Sequence, residues 1–337
     1  MSKSVLKQRI LKAMIVAVAI ALLSFETYWL SPDVKAQVHR LWWKVRGESA
    51  APAAILCLDD LSEPKVALAA IETLRNLGPA AVPVAAAMLE STLEKERLLG
   101  ARALAILGSD GASAFPAIRD AFLLEKAPLI KRELILVLRN TARQSDEATD
   151  LLAIAAKDTD PALRLEAVMA LSRAKHATPN VVEALVAALK DPSPDVRREA
   201  AESIGELRPK DRLIVPALIT ALTDDSHEVR AEAGEALAAL GGDARDAVPA
   251  LVKTLQDSDL RVGAQARRAL VQIGSESIRP LMELLKTETK VHSNVVIALG
   301  EFGKAASPAL SLLDQRKKTQ PELTEEIEAA AGRIRGE

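Results

Sequence analysis

From about residue 51 onward, blocks of apolar positions at helical spacing alternate with short polar runs, and the whole arrangement recurs along the chain. The clearest copies begin at Val181: VVEALVAALKDPSPDVRREAAESIGEL, then IVPALITALTDDSHEVRAEAGEALAALG, then AVPALVKTLQDSDLRVGAQARRALVQIG. Leu185, Leu218 and Leu251 stand 33 residues apart, as do Leu189, Leu222 and Leu255, and Leu171, Ile204, Leu237 and Leu270. Looser copies start at Ala53 and Ala81, near Phe115, at Leu151, at Ile278 and at Pro308, making about eight or nine units in all.

Each unit holds two apolar stripes of helical period separated by a turn rich in Asp, Pro and Ser, and so predicts a helix hairpin. In the copy beginning at Val181 the first helix should bury Val182, Leu185, Val186 and Leu189, and the second Val196, Ala200, Ile204 and Leu207. One hairpin cannot cover its own stripe, so stability must come from its neighbours. The expected fold is all-α, a right-handed α-solenoid of stacked hairpins over residues 51–313, on the order of 80–90 Å long at a helix spacing of about 8–10 Å. Residues 314–337 are expected to form a capping helix, through the acidic segment Pro321 to Ile334.

Composition supports series stacking over one large core: about sixty residues are alanine and eight are aromatic. Forty-four Lys and Arg against forty-six Asp and Glu give a net charge of -2, but the division is uneven. Residues 1–50 carry eight bases and three acids, a net of +5, which leaves -7 for the remainder. Within the basic part, residues 13–30 form an apolar stretch whose one charged residue is Glu26, about 27 Å long as a helix and just long enough to span a bilayer. Tyr28 and Trp29 stand where an interfacial aromatic belt belongs.

Three readings of that stretch compete: an uncleaved single-pass anchor, a signal peptide cut after Ala36, and a buried soluble helix. The anchor is preferred, because Ser31-Pro32-Asp33 starts a further helix whose first turn cleavage would remove. No cysteine follows the stretch to carry a lipoprotein anchor. Basic residues flank it evenly, four on each side; the charged tail of residues 1–12 is costly to translocate and points to an extracytoplasmic, periplasmic solenoid. Residues 31–50 make a basic amphipathic junction helix. Its SPDVK start matches SPDVR at Ser193–Arg197, so it reads either as the second helix of a decayed repeat or as a helix lying in the headgroups through Trp42 and Trp43.

The repeat resembles the HEAT-repeat family, in the short bacterial type similar to that of phycobilisome lyases, through its Asp-x-Val-Arg turn and Leu-Gly close over about residues 51–313. The recurring Asp and Arg of that family fall on Asp158 and Arg164, Asp191 and Arg197, and Asp224 and Arg230, each pair six apart. They are expected to bond each other, loop amides or the next repeat as a structural ladder that sets stacking register. Asp257 and Arg261 are only four apart, which predicts a shortened turn there.

Chemistry is sparse. There is no phosphate-cradling Gly-rich loop, nucleophile elbow or cysteine-rich cluster, so no catalytic, cofactor-binding or metal site is expected and no cofactor. The single Cys57 sits in an apolar run and reads as a small buried hydrophobe, and His39, His176, His227 and His292 are scattered. Deoxyhypusine hydroxylase, a HEAT-repeat enzyme, uses several His-Glu pairs for two irons, whereas here only His227-Glu228 occurs, expected in an exposed turn. An acidic solenoid with only Phe115, Phe122 and Phe302 as aromatics offers neither a phosphate stripe nor stacking platforms for nucleic acid.

What is left is surface. The second helices present Glu202, Glu235 and Arg268 at equivalent positions, with Arg198, Glu199, Glu232, Gln265 and Gln272 nearby among small residues such as Ala231 and Ala239. That face predicts a shallow groove for a partner protein. The expected function is a non-catalytic, membrane-anchored docking scaffold with lipid contact through residues 1–50. Its alternatives are a lyase- or chaperone-like factor for a cofactor protein and a secreted solenoid.

Overall fold

The computed structural model describes residues 33, 36–37, 39, 50–58, 64–288 and 292–337. The expected span at 13–30 and its interface residues Tyr28, Trp29, Trp42 and Trp43 lie outside them. No helix among the described residues is long and apolar enough to cross a membrane.

Eighteen α-helices pair into nine hairpins among the described residues, with no strand. They are α1 Ala51–Leu56, α2 Pro64–Leu77, α3 Val82–Leu89, α4 Glu94–Leu107, α5 Phe115–Leu124, α6 Pro128–Thr141, α7 Asp146–Ala155, α8 Pro161–Leu171 and α9 Pro179–Ala188. There follow α10 Pro194–Leu207, α11 Ile214–Ala221, α12 His227–Leu240, α13 Val248–Thr254, α14 Leu260–Ile273, α15 Ile278–Thr287, α16 Ser293–Glu301, α17 Leu310–Thr319 and α18 Thr324–Arg335. The α-solenoid expected from the repeat is the architecture found. Residues 314–337 are not a lone cap, because they begin inside α17 and share a ninth hairpin with α18.

The chain divides into two compact units, up to Leu151 and from Leu152. In the first, α2, α4 and α6 pack in sequence; in the second, α8, α10, α12 and α14 do so, and α16 packs on α18. Leu185, Leu218, Leu251, Ile204, Leu237 and Leu270 are fully buried, so the 33-residue period is the period of the core. Of the eight core residues expected in the α9–α10 hairpin six are buried, while Val186 and Leu207 lie half-buried at its rim.

Small residues set how closely second helices approach. A Cβ on Gly205 would stand 3.2 Å from the Ala236 backbone, one on Gly234 3.1 Å from the Gln265 Cβ, and one on Gly300 2.8 Å from the Ala330 backbone. In the Leu-Gly close, Gly78, Gly108, Gly241, Gly274 and Gly303 all have positive φ, ending one hairpin and turning the chain into the next.

The turns inside the hairpins are locked by the expected ladder, in a form that links neighbours. The Arg164 guanidinium donates from Nε and Nη2 to the two Asp191 oxygens at 2.6 and 2.9 Å, while its Nη1 donates to the Asp158 and Thr159 carbonyls of its own turn. Arg197 holds Asp224 in the same fork at 2.7 and 2.8 Å, and Arg230 holds Asp257 at 2.8 and 2.9 Å. Each carboxylate also accepts the amide two residues on, from Ser193, Ser226 or Asp259. Pairing therefore runs between repeats, 27 residues apart, and not across the six-residue turn. Asp158 accepts the Asp160 amide in the same way. The first unit uses the device with glutamate: Arg97 forks onto Glu125 and donates to the Ser91 and Thr92 carbonyls.

The shortened turn expected at Asp257 is not found. Helix α14 starts three residues after Asp257, as α10 starts after Asp191 and α12 after Asp224. What changes is the arginine position, now Gly263, where a Cβ would meet the Asn294 amide at 2.7 Å, while Arg261 is exposed and only approaches Glu232 at 3.6 Å. Beyond this point the lock reverses: buried Arg316 donates back to the Leu285 and Glu288 carbonyls.

Burial raises the Asp191 and Asp224 carboxyls, but the arginine fork and the turn amide outweigh it and hold both below the ordinary value; at Asp257 the Arg230 bond dominates in the same direction. A lowered folded pKa stabilises the fold fully above about pH 4 and is lost as pH falls through the folded values. Arg197→Met should cost about 2 kcal/mol at pH 7, and Arg197→Lys, which keeps charge but not the fork, should recover less than half. In denaturant melts of both variants that cost should shrink as the pH falls through the lowered folded values.

Candidate functional site

The second helices α10, α12 and α14 line a shallow depression of about 610 Å³ in the second unit. Its floor is Gly205, Ala236, Ala238 and Ala239, the small residues that let the helices close up, and its walls are Glu202, Glu206, Arg208, Glu232, Glu235, Arg268 and Gln272. Three of the four residues expected to bind a partner, Glu202, Glu235 and Arg268, line it. The fourth, Arg198, stands beside it, donating to Glu202 at 2.8 Å and Glu199 at 3.2 Å. Arg268 donates to Glu235 at 3.4 Å across the step between α12 and α14.

Two expected surface positions are less open. Glu199 is only 7% exposed and Ala231 is buried, while Glu232 and Gln265 are half-buried. Burial raises the Glu199 and Glu232 carboxyls, and Glu202 pushes both further up. Carboxylates are thus gathered on α10 and α12, whereas α14 contributes Arg268 and Gln272.

Arg208 is the feature that the sequence reading passed over. It occupies the position of Gly241 and Gly274, each 33 residues apart, and takes φ +48°, the only non-glycine residue with positive φ among those described. A left-handed arginine costs about 1 kcal/mol, which glycine would avoid. Its exposed side chain lines the groove. The break in the Leu-Gly close, Leu207-Arg208-Pro209, was there to be read.

Other candidates fall away from the groove. His227-Glu228 opens α12 in an exposed turn, with His227 Nε2 3.5 Å from Glu228 and 3.9 Å from Asp259. Among the described residues no group of three or more His, Cys, Asp or Glu side chains is placed to hold a metal ion. Cys57 is half-buried just past the end of α1, not fully buried as its apolar neighbours imply. Phe122 is buried in the core and cannot stack on a base.

Residues 148–215 and 215–300 match the family model described as HEAT repeats. The two matches adjoin and together span residues 148–300, a little under half of the chain. The solved structure of an engineered protein is 25% identical, covering 95% of this chain and 99% of its own at a TM-score of 0.52. Importin beta is 14% identical and has a TM-score of 0.61 over 95% of this chain, which spans 53% of importin beta; the likeness is one of fold. The CpcE–CpcF complex of phycocyanin lyase from Nostoc is 22% identical, covering 64% of this chain and 92% of its own at a TM-score of 0.39, too distant to bear on activity. No curated protein matches the sequence.

If Arg208 is held left-handed for the groove and not for the fold, Arg208→Gly should raise unfolding free energy by about 1 kcal/mol while altering the groove wall. A raised carboxyl pKa weakens the fold as pH climbs through it, so Glu199→Gln should stabilise by up to about 1 kcal/mol at pH 7 and gain nothing at pH 4. Thermal melts of both variants at the two pH values check these signs.

Proposed function

We propose that this protein is a membrane-anchored, non-catalytic HEAT-repeat scaffold that docks a partner protein in the groove of α10, α12 and α14. The observation that carries the reading is that groove. Charged, outward side chains on three successive helices surround a floor of small residues, at the size and depth that seat a helix or extended segment. Helical solenoids of this class commonly bind proteins and are in general not catalysts. The mixed charge favours a partner presenting both signs, and the acidic surplus at Glu202, Glu206, Glu232 and Glu235 opposes nucleic acid.

The anchor is supported by the apolar stretch 13–30 and the basic residues about it. Charge on residues 1–12 favours an extracytoplasmic, periplasmic position for the solenoid. Protease added to sealed cells should then digest the solenoid, and protection would place it on the inner side.

Crosslinking in intact membranes, followed by mass spectrometry, should connect a partner to the groove residues. The combined reversal Arg198→Glu, Glu202→Lys and Glu235→Lys should reduce recovery of that partner by about tenfold or more, as expected when charges central to an interface are inverted. Unchanged recovery from a folded variant would reject the groove as the docking site.

A further inference from the structure

Five leucines stand exposed along one edge of the first unit. Leu56 closes α1, Leu93 caps α4, Leu123 and Leu124 close α5 and Leu129 is the second residue of α6; they are between 56% and 79% exposed. All lie at the turns inside hairpins, and the Arg97–Glu125 lock holds the second turn onto the third. Single exposed leucines are ordinary, and Leu68 within α2 is one, but five gathered at one edge are not. The repeat provides its own comparison. At the position of Leu124 the later hairpins have Lys157, Lys190, Thr223 and Gln256, and at that of Leu129 they have Ala162, Asp195, Glu228 and Arg261. The equivalent turns of the second unit expose a large apolar side chain only at Ile154 and Leu260; the leucines in the place of Leu123, at 189, 222 and 255, are buried.

A second, independent observation concerns where the amino-terminal segment must leave. Asp33 pairs with Lys65 at 2.5 Å, and Ala36 is 2% exposed. Lys65 is the second residue of α2, so Asp33 is held at the turn end of the first hairpin, the edge on which the leucines lie. The apolar run ends at Leu30, and three residues can carry the chain only about 10 Å. Covalent connection alone brings that run out beside the leucine edge.

We infer that this edge rests on the lipid surface, its leucines entering the headgroup boundary next to the point where residues 13–30 enter the bilayer. The inference depends on the anchor proposed above and adds to it an orientation: the first unit meets the membrane by its hairpin turns. Charges beside the leucines are mixed, with Glu94, Lys95 and Lys126 all exposed, so the contact is apolar and needs no anionic lipid.

The test uses the full chain in phosphatidylcholine nanodiscs with Cys57→Ser, carrying a nitroxide at Leu124→Cys or, for comparison, at exposed Thr223→Cys. The label at 124 should gain oxygen accessibility and lose most of its accessibility to a water-soluble nickel complex, while the label at 223 stays aqueous. Discs with a fifth of the lipid anionic should give the same result. Liposome flotation of the same protein reads the anchor separately. A chain that floats but keeps both labels equally aqueous overturns the orientation and spares the anchor, whereas a chain that does not float removes both. Shielding at 124 that appears only in discs holding two copies would give the edge to a second copy and likewise overturn the lipid contact.

Discussion

The structure depends on contact between one second helix and the next. A hairpin of two short helices has more apolar surface than it can cover, and the surplus is hidden only when an equivalent hairpin is laid against it. That approach is limited by side-chain volume at the contact, which explains both the alanine content and the glycines at 205 and 234, where a methyl would crowd the neighbouring helix, and at 300, where it would strike it. Burying polar turns between successive layers would leave carbonyls and carboxylates without partners. The arginine fork resolves this by satisfying two carbonyls of its own turn and one carboxylate of the following turn at once. Apolar stacking thus supplies the cohesion, and the fork fixes the register.

Much of this was legible before any coordinates. Leucines at an interval of 33 marked the core, and the Asp-to-Arg recurrence marked the lock. Its direction was not legible, because the sequence left open bonding within the pair, to loop amides or to the next repeat. Only the geometry shows each arginine reaching 27 residues onward to the next turn. Glu125 escaped for a different reason: glutamate is one methylene longer and its partner Arg97 lies 28 residues away, so neither residue type nor interval matched the pattern sought. The turn at Asp257 misled for the opposite reason, since Arg261 was a plausible but wrong arginine and the informative residue was Gly263.

The groove was legible at the level of faces and not of depth. Positions 202, 235 and 268 follow from helical period and repeat interval, whereas the burial of Glu199 depends on how closely α12 is drawn to α10 by Gly205 against Ala236. A side chain one turn away from an exposed position can be covered by a neighbour that the sequence does not place. The result is an ionisable group whose charged form is disfavoured beside a surface open to solvent.

A repeat also turns its irregularities into information, because every copy is a control for the others. Where glycine is replaced by a left-handed arginine at 208, backbone strain is accepted on the groove wall; the fold alone would favour the glycine found at 241 and 274. Where arginine is replaced by glycine at 263, the lock stops, and the next turn is held from the other side by Arg316. Where lysine or threonine gives way to leucine at 124, apolar surface is exposed with no benefit to stacking. At 208 and 124 the local stability argument favours the residue found in the sister copies, whereas at 263 the packing of Asn294 itself excludes a side chain. Packing alone favours copies that are alike, so each difference between them asks for a local reason: a neighbour's side chain at 263, and exposed surface at 124 and 208.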